Sequence, residues 1–195
     1  INIVISVLCI QNKDYVFIES DNFDLEDENY IFQESDKTLT FKKNVAVITQ
    51  GMVPYVLRKS VENIIIPDGV LQIGTYAFSG FENLKSVTIP NSVNRIRSKA
   101  FSRCENLKEI IMGNGIEVVE TSAFSSCNSI EKVYIKDLIN WCNIKFESQL
   151  ANPLANVATL YLNNVCINNL TLPDSIKSVK DYTFAGCHGI NSLII

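Results

Sequence analysis

The sequence predicts a solenoid, a fold in which one short structural unit stacks repeatedly on copies of itself. Three stretches align without a gap, residues 66–88, 89–111 and 112–134, and each spans 23 residues. A fixed period between about 20 and 50 residues is typical of such arrays. Ala-Phe pairs and branched apolar residues recur at the same places in each stretch. The pattern predicts an elongated array, and proteins of this kind usually present a surface rather than a catalytic centre.

The aligned positions predict two walls for each coil, a coil being one 23-residue unit of the array. The apolar residues that recur in register are Ala77-Phe78, Ala100-Phe101 and Ala123-Phe124; Phe81, Cys104 and Cys127; Leu84, Leu107 and Ile130; and Val87, Ile110 and Val133. Apolar and polar residues alternate from Leu84 to Ile89, which predicts a short half-buried strand that Pro90 closes. Val93 and Ile96, with the Ala-Phe pair that follows, recur at spacings of three and four and predict the opposite wall.

Further copies are visible on either side of these three. A strand over residues 61–66 begins the array, and residues 172–193 repeat the template. Between the copies the phase breaks, because Phe124 and Phe184 lie 60 residues apart, which is two periods plus 14. We therefore expect the array to cover residues 61–195 and to contain an irregular, longer repeat.

The longer repeat is expected at residues 137–165. Its first part, residues 137–155, predicts an irregular or helical excursion that contains Trp141 and Cys142. Two strands are expected after it, at residues 157–162 and 167–172. They form either an extra coil or a hairpin.

Residues 1–60 predict an N-terminal segment and a β-rich cap. Residues 30–32 and 38–41 flank the turn-prone pair Ser35-Asp36, which indicates a hairpin that covers the first coil. Residues 1–10 are apolar, and we interpret them as a buried strand, although the tail of a signal peptide is an alternative.

Composition excludes several classes of function. The 17 basic and 21 acidic residues give a net charge of −4 and provide no basic stripe for a nucleic acid. No apolar run approaches the roughly 20 residues that a transmembrane helix needs. Acidic residues cluster early in the chain, at Glu19, Asp21, Asp24, Glu26, Asp27 and Glu28. Such a cluster could bind calcium, but the spacing of a calcium loop is absent, so a solvated loop is favoured.

The cysteines predict a buried, reduced ladder rather than disulfides or a metal site. Cys104, Cys127 and Cys187 occupy equivalent positions, where the first copy has Phe81, and free cysteine behaves as a small apolar residue. Cys9, Cys142 and Cys166 lie off the pattern, and the sequence does not pair them. Zinc requires clustered Cys and His ligands, which are missing.

The single histidine, His188, gives no catalytic site by itself. It follows Cys187, but adjacent side chains commonly diverge, and Cys187 belongs to the predicted ladder. Neither a phosphate-binding glycine loop nor a nucleophile elbow is present. We predict no catalytic residues, no cofactor and no metal.

The segment Ile-Pro-Asn-Ser-Val-Asn-Arg-Ile at residues 89–96, followed by Ala100-Phe101 and Cys104, resembles the BspA-like class of leucine-rich repeats. The resemblance covers residues 61–195, and residues 30–60 look like the family's N-terminal segment. Three features depart from the family pattern: Phe81 in place of Cys, Met112-Gly113 in place of Ile-Pro, and Thr183 in place of Ala. Met112-Gly113 is expected to loosen its turn.

The resemblance implies a right-handed, curved leucine-rich-repeat solenoid. Short parallel strands would line its concave face, and its convex side would be irregular, 3-10 helical or made of short helices, with a hairpin-like cap at the N-terminal end. It also implies an exported or cell-surface protein that binds host or matrix proteins and has no enzymatic activity.

Strand residues between the inward positions are expected on the concave face, and Ala158 and Thr159 are placed there too. One row of them, which we call the outer file, comprises Ile65, Thr88, Ile111, Tyr134, Tyr161, Thr171 and Ile194. The candidate partner-binding residues are Ile65, Lys85, Thr88, Lys108, Ile111, Lys132, Tyr134, Tyr161, Asn169 and Thr171. Parallel sheets favour β-branched and aromatic residues in any case. The same row also fits an exposed interaction patch.

Three functions remain open at this point. The first is a protein-interaction module of the adhesion type, the second a structural spacer without a ligand, and the third a carbohydrate-binding surface. No cap follows residue 193, so either the array continues or this edge meets another chain, including a second copy.

Overall fold

The computed structural model describes residues 7–11, 14–18 and 24–194, with side chains from residue 24 onward except that of Leu193. The described strands are, in chain order, β1 (Val7–Gln11), β2 (Asp14–Ile18), β3 (Asp24–Glu26), β4 (Tyr30–Gln33), β5 (Thr38–Phe41), β6 (Val47–Ile48), β7 (Asn63–Ile65), β8 (Gln72–Ile73), β9 (Ser86–Thr88), β10 (Arg95–Ile96), β11 (Glu109–Ile111), β12 (Val118–Val119), β13 (Lys132–Ile135), β14 (Lys145–Phe146), β15 (Thr159–Leu162), β16 (Val165–Cys166), β17 (Asn169–Thr171) and β18 (Ser192–Ile194). The helices are α1 (Leu138–Asn143) and three 3-10 helices, Tyr55–Lys59, Gln149–Ala151 and Pro153–Asn156.

One large sheet confirms the predicted stacking of coils. Strands β5, β7, β9, β11, β13 and β15 lie side by side in parallel, and β3, β4 and β16 add antiparallel strands at the two ends. The pairing keeps the 23-residue register, so that Ile64 lies beside Val87 and Val87 beside Ile110. Because each coil returns to the same place, its inward residues meet their own equivalents in the next coil.

A second parallel sheet lies on the other wall of the coils, where the sequence predicted only an irregular or short-helical side. It consists of β6, β8, β10, β12 and β14 in spatial order, and each strand has two residues. One residue of each strand is buried: Ile48, Ile73, Ile96, Val119 and Phe146. Two-residue strands are too short to show an alternating pattern, so periodicity could not have predicted them.

The Ala-Phe turns form the third line of contact between coils. The Phe78 and Phe101 rings are stacked at 5.2 Å between centroids, and Phe101 and Phe124 repeat this distance at an interplanar angle of 3°. The backbone follows the same path, since the N–H of Phe78 donates to the Ala100 carbonyl at 2.7 Å and that of Phe101 to the Ala123 carbonyl at 2.8 Å. The three rings are fully buried, as the repeat predicted.

The predicted hairpin at the N-terminal end is confirmed. β4 and β5 pair antiparallel, and the Asp36 carboxylate accepts a hydrogen bond from the N–H of Thr38 in the turn between them. β5 then pairs in parallel with β7, so the hairpin continues the large sheet instead of lying across its end. Of the apolar segment 1–10, residues 7–10 belong to β1, and the first six residues lie outside the described part.

The expected excursion contains the six-residue helix α1, the two-residue strand β14 and two short 3-10 helices. The Asp137 carboxylate caps α1 by accepting from the N–H groups of Ile139 and Asn140, which have no partners within the helix. The Trp141 indole N–H and the Asn152 amide both donate to the Thr183 carbonyl, at 3.1 and 2.9 Å. These two buried side chains join the long repeat to the turn of the last described coil.

For the two strands after the excursion, the extra coil is confirmed for the first strand, and the hairpin forms with a different partner, β16 instead of the strand expected at residues 167–172. β15 is a coil strand that pairs in parallel with β13, and it also forms a hairpin with β16. Asn163 and Asn164 make the turn of this hairpin, with φ of 51° and 65°, a conformation that Asn tolerates well. β17 then pairs with β18 in a separate two-stranded sheet.

The expectation that Met112-Gly113 loosens its turn is wrong. Met112 is buried, and its N–H donates to the Tyr134 carbonyl at 2.9 Å. A Cβ at Gly113 would overlap the Pro90 and Ile89 carbonyl oxygens, so the missing side chain lets two coils approach closely. Among the described residues, no helix combines the length and apolarity needed to cross a bilayer.

Replacing Phe101 with Ala should lower the free energy of unfolding by about 3–5 kcal/mol, because the ring is fully buried between two other rings. Chemical denaturation would measure the change. The control is Tyr55→Ala, which removes an exposed ring and should cost less than about 0.5 kcal/mol. Equal losses for the two variants would contradict the inward placement of Phe101.

Gly186 and Gly80 form a matched pair, because they have φ of 76° and 77° at equivalent places in their turns. The left-handed conformation therefore penalises Ala equally at both sites. A Cβ at Gly186 would lie 2.5 Å from the Leu154 carbonyl oxygen, whereas a Cβ at Gly80 meets nothing within 4 Å. Gly186→Ala should be more destabilising than Gly80→Ala by about 1–3 kcal/mol. Equal melting temperatures for the two variants would show that the 154–155 backbone is not held against Gly186.

Candidate functional site

The exposed face of the large sheet carries the outer file as a continuous row over four coils and the long repeat. Ile65 lies beside Thr88, Thr88 beside Ile111, Ile111 beside Tyr134, and Tyr134 beside Tyr161. Ile65 is 51% exposed and Ile111 39% exposed. The row thus presents apolar and aromatic side chains to solvent on a rigid set of paired strands.

The outer file does not continue to Thr171 and Ile194, and the expectation of one seven-residue row is wrong. Tyr161 pairs with Cys166 of the hairpin, while Thr171 pairs with Ile194 in the separate sheet. The turn at Asn163-Asn164 folds the chain back before the next coil begins, which ends the row. Asn169 belongs to the separate sheet as well, and its side-chain oxygen accepts from the Ser192 hydroxyl at 2.8 Å.

Two further placements differ from the sequence analysis. Ala158, expected on the exposed face, is fully buried, while Thr159 is half-buried. Thr40 of β5 pairs with Ile65 and extends the outer file by one residue at its other end. The signal for Thr40 was present in the apolar-polar alternation of Thr38–Phe41, which was interpreted only as half of a hairpin.

Tyr134 and Tyr161 form the aromatic end of the outer file. Their ring centroids are 5.0 Å apart with an interplanar angle of 36°, and both rings are half-buried. Such a pair offers a broad apolar surface with two hydroxyl groups at its edge. Lys132 lies two residues before Tyr134 on the same strand, β13. The pKa of Lys132 is raised, first by its hydrogen bond to Glu109 and then by the charge of that carboxylate.

The lysines among the candidate residues are all paired with glutamates of the adjacent coil. Lys132 Nζ lies 2.7 Å from a Glu109 carboxylate oxygen, and Lys108 Nζ lies 3.8 Å from one of Glu131. Lys85 is paired with Glu62 in the same way. These exposed pairs contribute little to stability. Their consequence is that the charges beside the outer file neutralise one another.

The predicted cysteine ladder is confirmed for Cys104 and Cys127. Both are fully buried and free of disulfides, and their thiols donate to the carbonyls of Phe78 and Phe101, at 3.2 and 2.9 Å. Burial, together with the neighbouring Cys127 thiol, raises the pKa of Cys104 well above its usual range. The Cys104 thiol that stays protonated is a poor nucleophile. Both side chains belong to the core because both are fully buried.

The off-pattern cysteines and Cys187 are also free where the structure describes them. Cys142 is buried, and Cys166 donates to the Asn168 side-chain oxygen at 3.1 Å. Cys187 is half-buried, and burial raises its pKa. The exposed residue His188 uses its N–H to bond the Ala158 carbonyl. The side chain of Cys9 lies outside the described part.

The acidic segment forms contacts within the protein where it is described. Glu26 pairs with Lys42 at 2.6 Å, Asp24 accepts from the N–H of Glu34, and Asp27 from that of Asn29. Glu19 and Asp21 lie outside the described part. No group of three or more His, Cys, Asp or Glu residues able to hold a metal occurs in the part that is described.

The comparisons place the repeat pattern in a known class. A family model described as the BspA type leucine rich repeat region matches residues 55–149 and 156–195 in 6 copies. No curated protein matches the chain.

Several solved structures are similar to the chain at low identity. A leucine-rich repeat protein from Bacteroides ovatus is 16% identical, with 93% of this chain and 41% of that chain covered and a TM-score of 0.42. A leucine-rich repeat protein from T. pallidum is 19% identical over 84% of this chain and 66% of that one, with a TM-score of 0.44. The pneumococcal vaccine antigen PcpA is 17% identical over 86% and 35%, with a TM-score of 0.43. The chain therefore spans less than two thirds of each of these three.

Alkaline pH should destabilise the protein through Cys142. Burial raises the pKa of its thiol to about 11, whereas an unfolded chain has a cysteine pKa of about 8.5. The folded state keeps the proton longer than the unfolded state does. This contribution to stability is therefore complete below pH about 8.5 and is lost as the pH rises toward about 11, by up to about 1.4 kcal/mol per pH unit.

Urea denaturation with a reductant at several pH values would measure this slope. Cys142→Ala should show a shallower decline than the unchanged protein, and Cys166→Ala, at a less buried site, serves as the control. Parallel slopes for the Cys142→Ala variant and the unchanged protein would contradict a thiol kept protonated by burial.

Proposed function

We propose, on the premise that the chain belongs to the BspA-type leucine-rich repeat family, that it is a protein-interaction module that binds its partner on the exposed face of the large sheet. This is the face expected to be concave. The binding would be of the adhesion type and would take place at the cell surface or outside the cell. Family membership supports the interaction role, and the geometry of the outer file supports the face.

The single observation that carries the proposal is the run of solvent-facing side chains from Ile65 to Tyr161, of which the first three are exposed and the two tyrosines half-buried. These residues stand one strand apart on a paired sheet, so a partner would meet them already in position. Prearranged side chains lose little conformational freedom on binding. Exposed apolar residues in a continuous row are typical of interaction sites, and Tyr is frequent among the residues that contribute most to binding.

The neutral surroundings favour an apolar partner surface over a strongly charged one. Lys85, Lys108 and Lys132 are each paired with a glutamate of an adjacent coil, so none of the three is left to attract a distant anion. Association would then depend on buried apolar area and shape, with a weak dependence on salt.

A catalytic role finds little support in the described residues. The pKa of Cys187 is raised by burial, which opposes thiolate formation. No hydrogen bond joins the Cys187 thiol to the imidazole of His188 among the described residues. We therefore assign no reaction to the chain and no cofactor.

Carbohydrate binding is the second candidate, and the Tyr134–Tyr161 ring pair favours it. Two neighbouring rings with hydroxyl groups could pack against a sugar ring and bond to its hydroxyl groups. A glycan array and a protein-interaction screen on the same preparation would separate the two candidates. Strong glycan signals without a protein partner would replace the first proposal by the second.

The double substitution Tyr134→Ser/Tyr161→Ser should leave folding nearly unchanged and weaken binding to a protein partner by about tenfold or more, since truncation of a central Tyr commonly costs over 1 kcal/mol. Candidate partners would come from a pull-down of matrix and surface proteins with the unchanged chain. Calorimetry on each purified partner would then compare affinities.

Tyr182→Ser is the control, because Tyr182 is exposed in the last described coil, away from the outer file. It should bind like the unchanged protein. Partners that bind the double variant with full affinity would remove the proposed face, and a partner lost equally with Tyr182→Ser would place the site elsewhere.

A further inference from the structure

A second exposed surface lies on the turns that join the two sheets, away from the outer file. We call it the turn patch, and it consists of Tyr55, Val56, Arg58, Tyr76, Lys99 and Arg103. The first three residues belong to the 3-10 helix Tyr55–Lys59, and the others lie in the turns of the next two coils. Three successive coils thus contribute to one area.

Its apolar part is unusually open to solvent. Tyr55 is 72% exposed and Val56 71% exposed, the highest values among the large apolar side chains that the structure describes. The 3-10 helix buries one residue, Leu57, which anchors it to the core, while Tyr55 and Val56 remain exposed. Two adjacent apolar side chains left in water are a feature that a partner surface would remove.

Contacts tie the 3-10 helix to the two turns of the patch, and the turn that carries Arg103 is joined to the turn of Tyr76 by the hydrogen bond from the Gly80 N–H to the Ser102 carbonyl at 2.8 Å. The Arg58 guanidinium lies over the Tyr55 ring at 5.2 Å, and the Lys99 ammonium lies over the Tyr76 ring at 5.4 Å. Arg58 Nη1 also donates to the Ser79 carbonyl at 3.3 Å, which ties the 3-10 helix to the turn that presents Tyr76. The patch therefore presents ordered cation–aromatic pairs rather than independent side chains.

The positive charge of the patch is not neutralised within the described part of the chain. Arg58, Lys99 and Arg103 have no carboxylate within 4 Å there, in contrast to the lysines beside the outer file. Residues 52–60, 75–81 and 98–104 contain no Asp or Glu at all. Glu82 and Glu105 follow two of these stretches directly, and Glu82 pairs with Lys59 at 3.4 Å, so the charges left without an ion pair in the three stretches are the positive ones of Arg58, Lys99 and Arg103.

We propose that the turn patch is a second binding surface and that it takes an acidic polypeptide segment that also carries apolar side chains. Carboxylates of the segment would pair with Arg58, Lys99 and Arg103, and its apolar residues would cover Tyr55 and Val56. Recognition of acidic motifs by clustered basic side chains is a recurring mode of peptide binding.

The composition of the patch favours a polypeptide over other anions. Surfaces that bind anionic lipids commonly have about 4–8 clustered basic residues, and this patch has three free ones. A nucleic acid or a sulfated glycan would satisfy the cations but leave Val56 without an apolar partner. Tyr and Arg, which together form four of the six patch residues, are among the residues most often central to protein interfaces.

The test uses the whole chain and a fluorescent peptide built from repeated Glu-Glu-Leu units as probe. Fluorescence anisotropy should show binding that weakens as salt rises, because Lys99 and Arg103 are exposed and Arg58 is only half-buried. Arg58→Gln/Lys99→Gln/Arg103→Gln should weaken binding by about tenfold or more, and Tyr55→Ala by a similar factor. Lys99→Gln/Arg103→Gln, which leaves the Arg58 contact with Ser79 intact, should give an intermediate loss.

The matched control is Lys43→Gln/Lys136→Gln/Lys177→Gln, which removes the same charge from exposed lysines elsewhere. It should stay within about twofold of the unchanged protein. An equal loss for this control, or no loss for the patch variants, would overturn the proposal. Tighter binding of heparin or of phosphatidylserine vesicles than of the peptide would overturn it too. If the Tyr134→Ser/Tyr161→Ser variant still binds the peptide, the turn patch is supported as a surface separate from the outer file. Loss of peptide binding in that variant would refute a separate surface.

Discussion

Contact between equivalent residues in consecutive coils is the constraint on which the whole structure depends. It acts along three lines: the large sheet, the sheet of two-residue strands, and the turns where Phe78, Phe101 and Phe124 stack. A single coil has no partner for its outward backbone groups or for the two faces of its ring. Because each coil supplies what its neighbours lack, stability belongs to the stack and not to the unit.

The same constraint orders the surface. A register that aligns Val87 with Ile110 also aligns the exposed residues between the inward positions, so the outer file is a by-product of the core. Ion pairs such as Lys132–Glu109 follow the same spacing. Exposed pairs of this kind add little to stability, so exposed positions are free to differ from coil to coil. The turn patch, which depends on Lys99 and Arg103 of one coil, illustrates that freedom.

Sequence reasoning predicted what the period encodes and failed where the period stops. The inward Phe and Cys positions, the strands of the large sheet and the hairpin ending at Phe41 all follow from residue type and spacing. The strands of the second sheet could not be predicted from the sequence, since a strand of two residues is too short to show an alternation of apolar and polar residues. The outer file ends after Tyr161 because the turn at Asn163-Asn164 folds the chain back. The sequence indicates a turn there, but it does not show that the following strands form a separate sheet. The effect of Gly113 on its turn was predicted wrongly, because a side chain at this position would overlap the carbonyl of Pro90, one coil away. The sequence does not show that contact.

The cross-coil contacts have a consequence for how such a chain can change in length. Removing or duplicating one whole 23-residue period rejoins like with like, so that Phe78 would stack on Phe124 much as it now stacks on Phe101. Recombination between two copies of the repeat would therefore leave the packing of the core intact. The helix α1 (Leu138–Asn143) has no helical equivalent in the other described coils, and the side chains of Trp141 and Asn152 both bond to the Thr183 carbonyl. A recombination event that removed or duplicated this segment would break these contacts and would therefore disturb the packing.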